Sequence, residues 1–99
     1  MQKVALSVSI ECHPGFRDQV VAALLEHRTR CLKDEPGTLQ FEVLLPENDD
    51  SYIVLFELYA DQSALTAHSN GHSITQYRKE VESKIKNVVA KKCAQILSI

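Results

Sequence analysis

Between Tyr52 and Tyr59 the chain reads YIVLFELY, apolar at every position except Glu57. Side chains on a strand alternate between the two faces, so Tyr52, Val54, Phe56 and Leu58 point one way while Ile53, Leu55 and Tyr59 point the other. Both faces of this strand must be covered. At roughly 25 cal/mol per Å² of apolar surface, leaving one face in water forgoes a few kcal/mol, a large share of the net stability of a small domain. With 99 residues, 44% of them hydrophobic, the chain makes one compact domain over residues 1–99, with a thin core that association with a second copy would supplement.

The flanking segments supply cover for one face only. Val4, Leu6, Val8 and Ile10 alternate with polar or small residues, the period of a half-buried first strand from Lys3 to Glu11. His13-Pro14-Gly15 breaks the alternation. Phe16, Val20, Ala23, Leu24, His27 and Cys31 then recur every three to four residues, predicting a helix to about Lys33. Glu35-Pro36-Gly37 stops it, with Gly37 expected to take the positive φ of a helix end or turn. Leu39, Phe41, Val43 and Leu45 alternate along a second strand, Thr38 to Leu45, which the polar run Pro46–Ser51 joins to the third strand as an antiparallel hairpin.

Asp61 is placed as the N-cap of a short helix from Gln62 to about His68, ended by Asn70-Gly71. Ser73 and Gln76 have capping-box spacing for a further helix carrying Ile74, Tyr77, Val81 and Ile85, and Val88 to Ile99 reads as a last strand. The order β-α-β-β-α-α-β suggests an α+β, ferredoxin-like unit: a four-stranded antiparallel sheet with its helices on one face. A second copy stacked on the bare face would give a homodimer with a β-barrel interface.

The net charge of −2 provides no cationic field for a phosphate backbone, which argues against a nucleic-acid partner. The basic residues are unevenly spread: Arg78 to Ile99 holds six Lys/Arg against two Asp/Glu. That cluster reads as a solvated face. No window reaches the roughly 20 apolar residues of a membrane span. Three cysteines without close pairing and no N-terminal apolar stretch lead to the expectation of a reducing, cytoplasmic setting. No phosphate loop, nucleophile elbow or dinucleotide fingerprint is present, so no cofactor is indicated.

The polar constellation that could carry chemistry is Glu57, His68 and His72, with His27, Phe41, Tyr59 and Tyr77 as neighbours and cavity walls. A histidine titrating near neutrality can move a proton or hold a substrate oxygen, and Glu57 can orient it. His68 and His72 are four apart, the spacing of metal ligands on a helix, but Asn70-Gly71 between them interrupts the helix and no Cys-x-x-Cys supports a metal site. No metal is expected. The structural alternative is that both histidines cap or pack the helix junction, that His27 is a satisfied core histidine, and that Cys31 fills the core.

Glu35-Pro36-Gly37-Thr38-Leu39-Gln40-Phe41-Glu42-Val43, Leu55-Phe56-Glu57-Leu58-Tyr59-Ala60-Asp61, and Ala64-Leu65-Thr66-Ala67-His68 followed by His72 together resemble the antibiotic biosynthesis monooxygenase family in order and spacing. The resemblance covers nearly the whole chain. It implies a ferredoxin-like dimer with a ligand cavity between sheet and helices in each protomer. Haem-degrading members of that family depend on a tryptophan, and this chain has none. What remains is a cofactor-independent monooxygenase of a small phenolic or quinol-like molecule, with His68, His72 and Glu57 as catalytic residues. Two alternatives stand beside it: an isomerase of a phosphorylated hydroxy-diketone, whose phosphate the basic C-terminal segment would meet, and a non-catalytic dimer that binds a small ligand.

Overall fold

The computed structural model describes residues 2–96. The elements are β1 (Val4–Cys12), α1 (Arg17–Asp34), β2 (Thr38–Leu44), β3 (Tyr52–Tyr59), α2 (Gln62–Ser69), α3 (His72–Glu80) and β4 (Ile85–Ala94). The four strands form one antiparallel sheet in the order β2-β3-β1-β4, with the helices on one face, as the α+β ferredoxin-like expectation requires. The two-faced strand is internal, hydrogen-bonded to β1 on one side and to β2 on the other. That placement agrees with its near-continuous apolar sequence. No helix is long and apolar enough to cross a membrane.

Register decides which residues meet the helices. Leu6 lies opposite Glu57, Val8 opposite Leu55 and Ile10 opposite Ile53, all on the helix side. Ala5, Ser7 and Ser9 pair with Leu58, Phe56 and Val54 on the bare face. The core forms where β1 and β3 meet Val20 and Leu24 of α1 and Tyr77 and Val81 at the end of α3, with Phe41 of β2 closing the side.

Four details differ from the sequence-based expectation. Gly37 has no positive φ; among the described residues the only glycine that does is Gly15. A Cβ at Gly37 would lie 2.3 Å from the Ala64 side chain, so it is space for α2 that requires glycine there. Thr38 pairs with Tyr59 and Gln40 with Leu58, which leaves Leu39 as an extra residue, 44% exposed rather than in line with Phe41. α3 begins at His72 with Gly71 as its N-cap, not Ser73, and ends at Glu80, so Ile85 belongs to β4. β4 accordingly starts three residues before Val88, and residues 97–99 of the expected strand lie outside the described ones.

Candidate active site

Sheet and helices do not close completely, and a cavity of about 420 Å³ remains between them. Its walls are largely apolar: Leu6, Val8 and Leu55 from the sheet, Leu24 from α1, Ile74 from α3. Such a volume suits a small organic ligand. Into it project His27, Glu57, His68 and Tyr77, all buried, while Arg78 and Glu82 contribute exposed rim residues.

Each polar group has an identifiable anchor. His68 sits in the last turn of α2, whose first turn is capped by Asp61 Oδ1 accepting from the Ala64 N–H at 2.8 Å. Glu35 Oε1, from the turn after α1, lies 2.8 Å from His68 Nδ1 and also accepts the Thr38 hydroxyl at 2.8 Å. Burial works against the Glu35 carboxylate, yet the hydrogen bonds from His68 and Thr38 outweigh it and hold its pKa below the ordinary value. On the other edge of the ring, Nε2 is 3.8 Å from Glu57 Oε1. Burial raises the pKa of Glu57, opposed by the hydroxyl that Tyr59 donates to it.

His27 is fixed by aromatic packing and by Ser73. Its ring stacks on Tyr77 at 5.1 Å, meets Phe41 edge-on at 5.5 Å and lies 5.4 Å from the ring of His68. Ser73 Oγ is 2.7 Å from Nδ1 and accepts from Arg30 Nε at 2.9 Å. Burial, with the neighbouring His68 and Arg30 adding to it, lowers the pKa of His27 to about 4, so at neutral pH the ring is uncharged. The Tyr77 hydroxyl is buried with no hydrogen-bond partner among the described residues. The Tyr77 ring lines the cavity, but its hydroxyl has almost no accessible surface and is packed behind the wall.

The structure thus brings His27, Phe41, Glu57, His68 and Tyr77 onto one cavity. Tyr59 lies behind that wall, its ring 5.1 Å from His68 and its hydroxyl on Glu57. His72 is exposed at the start of α3 and does not line the cavity. Of the six basic residues from Arg78 onward, Arg78 alone reaches the cavity, while Lys84 donates to the Glu80 carbonyl and Lys86 pairs with Glu11. Among the described residues, His27, Cys31 and His68 bring one histidine or cysteine ligand atom each within 4.8 Å of one another.

A sequence model of the antibiotic biosynthesis monooxygenase family matches residues 4–80. The chain belongs to the antibiotic biosynthesis monooxygenase family. Solved structures agree on the fold. A Caulobacter crescentus protein, provisionally named an antibiotic biosynthesis monooxygenase, superposes with a TM-score of 0.90 at 14% identity, over 97% of this chain and 92% of its own. A Pseudomonas aeruginosa protein gives 0.89 at 20% identity over 98% and 97%, and a Nitrosomonas europaea protein with the same provisional name gives 0.88 at 17% over 95% and 99%. No curated protein matches the chain.

In this family member, sequence reading missed Glu35 and Ser73 as site residues. Glu35 read only as part of a helix stop and Ser73 only as a cap, because the partners that give them a role, His68 and His27, lie 33 and 46 positions away.

Proposed function

We propose that this chain is a monooxygenase of a small phenolic or quinol-like molecule, working as a homodimer and drawing the electrons for O2 from the substrate itself. The observation that carries the reading is the convergence of His27, Glu57, His68 and Tyr77, from three helices and the sheet, on one largely apolar cavity. With Glu35 accepting the Nδ1–H of His68, Nε2 keeps its lone pair on the edge nearer Glu57. That nitrogen takes the substrate proton. The resulting anion, in low-dielectric surroundings, passes an electron to O2; one oxygen atom enters the substrate and the other leaves as water, carrying the two electrons and two protons the substrate gives up. Glu57 and Tyr59 hold the ring of His68 from the sheet side.

Arg78 is the one Lys or Arg among the lining residues and shares the rim with Glu82, so no cluster of cations awaits a phosphate, which favours an uncharged aromatic substrate over a phosphorylated one. A panel of quinols and catechols should give oxygen consumption at an oxygen electrode. His68→Ala is expected to lower turnover by about 100-fold or more with the fold retained by circular dichroism, whereas His72→Ala leaves it intact. Unchanged turnover in His68→Ala defeats the assignment of the base. Ligand-induced melting shifts without oxygen uptake point to a binding protein instead.

A further inference from the structure

Among the described residues, Glu57 is the one ionisable group that the sheet contributes to the cavity, and only half of its carboxylate is used. Across the ladders it faces Leu6 of β1 and Phe41 of β2, whose side chains donate nothing. Tyr59 donates its hydroxyl to Oε1, and no described residue donates to Oε2. Burial raises the pKa of the carboxyl, with the Tyr59 hydroxyl and His68 opposing it. The unpartnered oxygens sealed among the described residues are the Tyr77 hydroxyl and Glu80 Oε1; Glu57 Oε2 is not one of them, so the surface it keeps faces the cavity that Glu57 lines. Beside it stands a second acceptor. His68 donates from Nδ1 to Glu35, and its Nε2, 3.8 Å from Glu57 Oε1, has no hydrogen bond either. Two acceptors side by side in an apolar enclosure, with no proton between them, call for a ligand that brings two donors.

We infer that the cavity selects an arene with hydroxyls on two neighbouring ring carbons, one directed at His68 Nε2 and the other at Glu57 Oε2, which makes Glu57 the specificity-determining residue. The inference rests on the oxygenase reading for the first hydroxyl, the one that gives its proton to His68, and adds the second. Neighbouring hydroxyls project from the same side of a ring, so together they reach two acceptors that stand side by side. Para hydroxyls point in opposite directions: when one meets His68, the other lies a full ring away from Glu57. An arene with one hydroxyl, or with its second hydroxyl methylated, leaves Oε2 buried against carbon without a donor. A site built to bond a hydroxyl discriminates against the analogue lacking it far more strongly than an apolar pocket discriminates by size. Tyr59 is the positioning residue, because its hold on Oε1 leaves Oε2 as the oxygen for the ligand. Leu6, Val8 and Leu55 offer apolar surface to the hydrocarbon part of the ring. The Glu57 carboxylate repels an anionic group at this end of the cavity.

Equilibrium binding without oxygen tests the inference apart from turnover. Anaerobic titration calorimetry compares 4-tert-butylcatechol with its isomer tert-butylhydroquinone, with 4-tert-butyl-2-methoxyphenol and with 4-tert-butylphenol, all of which carry the same apolar group. The catechol is expected to bind about 10- to 100-fold more tightly than each of the others, the range set by one hydrogen bond to a charged group. In Glu57→Gln the amide oxygen still accepts from Tyr59, and the cavity meets an N–H donor in place of an acceptor. The methoxyphenol should then bind at least as tightly as the catechol. The native comparison decides the matter even where the variant does not fold: no binding of the catechol, or equal affinity for the catechol and either its isomer or its methyl ether, overturns the inference. An unchanged order of affinities in folded Glu57→Gln overturns it too. Oxygen uptake is measured separately. Catechol selectivity without oxygen uptake keeps the ligand class and defeats the oxygenase reading, and oxygen uptake with equal affinities does the reverse.

Discussion

His27 sits among three rings, Phe41, His68 and Tyr77, with the Arg30 guanidinium bonded to the same serine it touches. Protonating it in the folded protein means burying a charge beside charge of the same sign. A histidine whose folded pKa lies below its unfolded value contributes nothing to pH dependence while both states are neutral, and then costs stability as the unfolded chain binds a proton the folded one refuses. The window runs from 6.5, the ordinary value, down to about 4. Glu35, with its depressed pKa, acts in the same direction as acid is added. Urea unfolding in the presence of a chelator should show stability falling by about 3 kcal/mol across that window. His27→Gln should flatten most of the fall; an unaltered profile in that variant places the acid sensitivity elsewhere.

At the scale of elements, the approach of α2 to the turn after α1 determines whether His68 meets Glu35. Gly37 and Ala64 set that approach: the Ala60 N–H bonds the Gly37 carbonyl at 2.9 Å, and a methyl group at position 37 would lie 2.3 Å from Ala64 Cβ. Gly37→Ala is expected to destabilise by about 1–3 kcal/mol through overpacking, and to lower oxygen uptake by moving α2 from its seat. Ala64→Gly in the same chain removes the colliding atom and should restore part of both losses, even though glycine inside α2 costs about 1 kcal/mol in propensity. A double-mutant cycle by denaturant unfolding measures the coupling. Additive effects in that cycle rule out the steric account. Asp61 caps the same first turn through the Ala64 N–H, so the histidine's position depends on a cap and a close contact that both lie in the N-terminal turn of α2.

For the molecule as a whole, the unresolved demand is the sheet's second face. Val54 and Phe56 remain half-buried there, and Leu44 and Val89 are 50% and 49% exposed. An apolar surface spread over three strands is the kind that oligomers cover, and the proposed homodimer would cover it by a twofold stack of two such sheets. Sedimentation equilibrium is expected to return twice the 11.1 kDa chain mass. Phe56→Lys, which places a charge at the centre of that face, should shift the protein toward monomer and lower its melting temperature. A native chain that sediments as a stable monomer removes the dimer from the proposal.

The two-residue and 3.6-residue repeats placed β1, α1 and β2, because they record which side chains each strand and helix must bury, while the continuous apolar run, the caps, the turn residues and the composition placed the other four. The apolar run at Tyr52–Tyr59 was legible as a strand with two faces to cover, whereas its place inside the sheet was decided by the strand pairing. The ends of α3 and β4 were misplaced because Ile85 satisfies a helical spacing as well as a strand edge, and only the pairing of Cys12 with Ile85 separates the two. Gly37 was legible as punctuation but not as clearance for Ala64, since a steric contact between residues far apart in sequence leaves no local pattern. The same holds for the site. Composition and order offered His27, Glu57, His68 and Tyr77 as candidates, whereas the bonds of Glu35 to His68 and Ser73 to His27, and the sulfur set among the imidazoles, exist only because packing joins segments 30 to 50 residues apart.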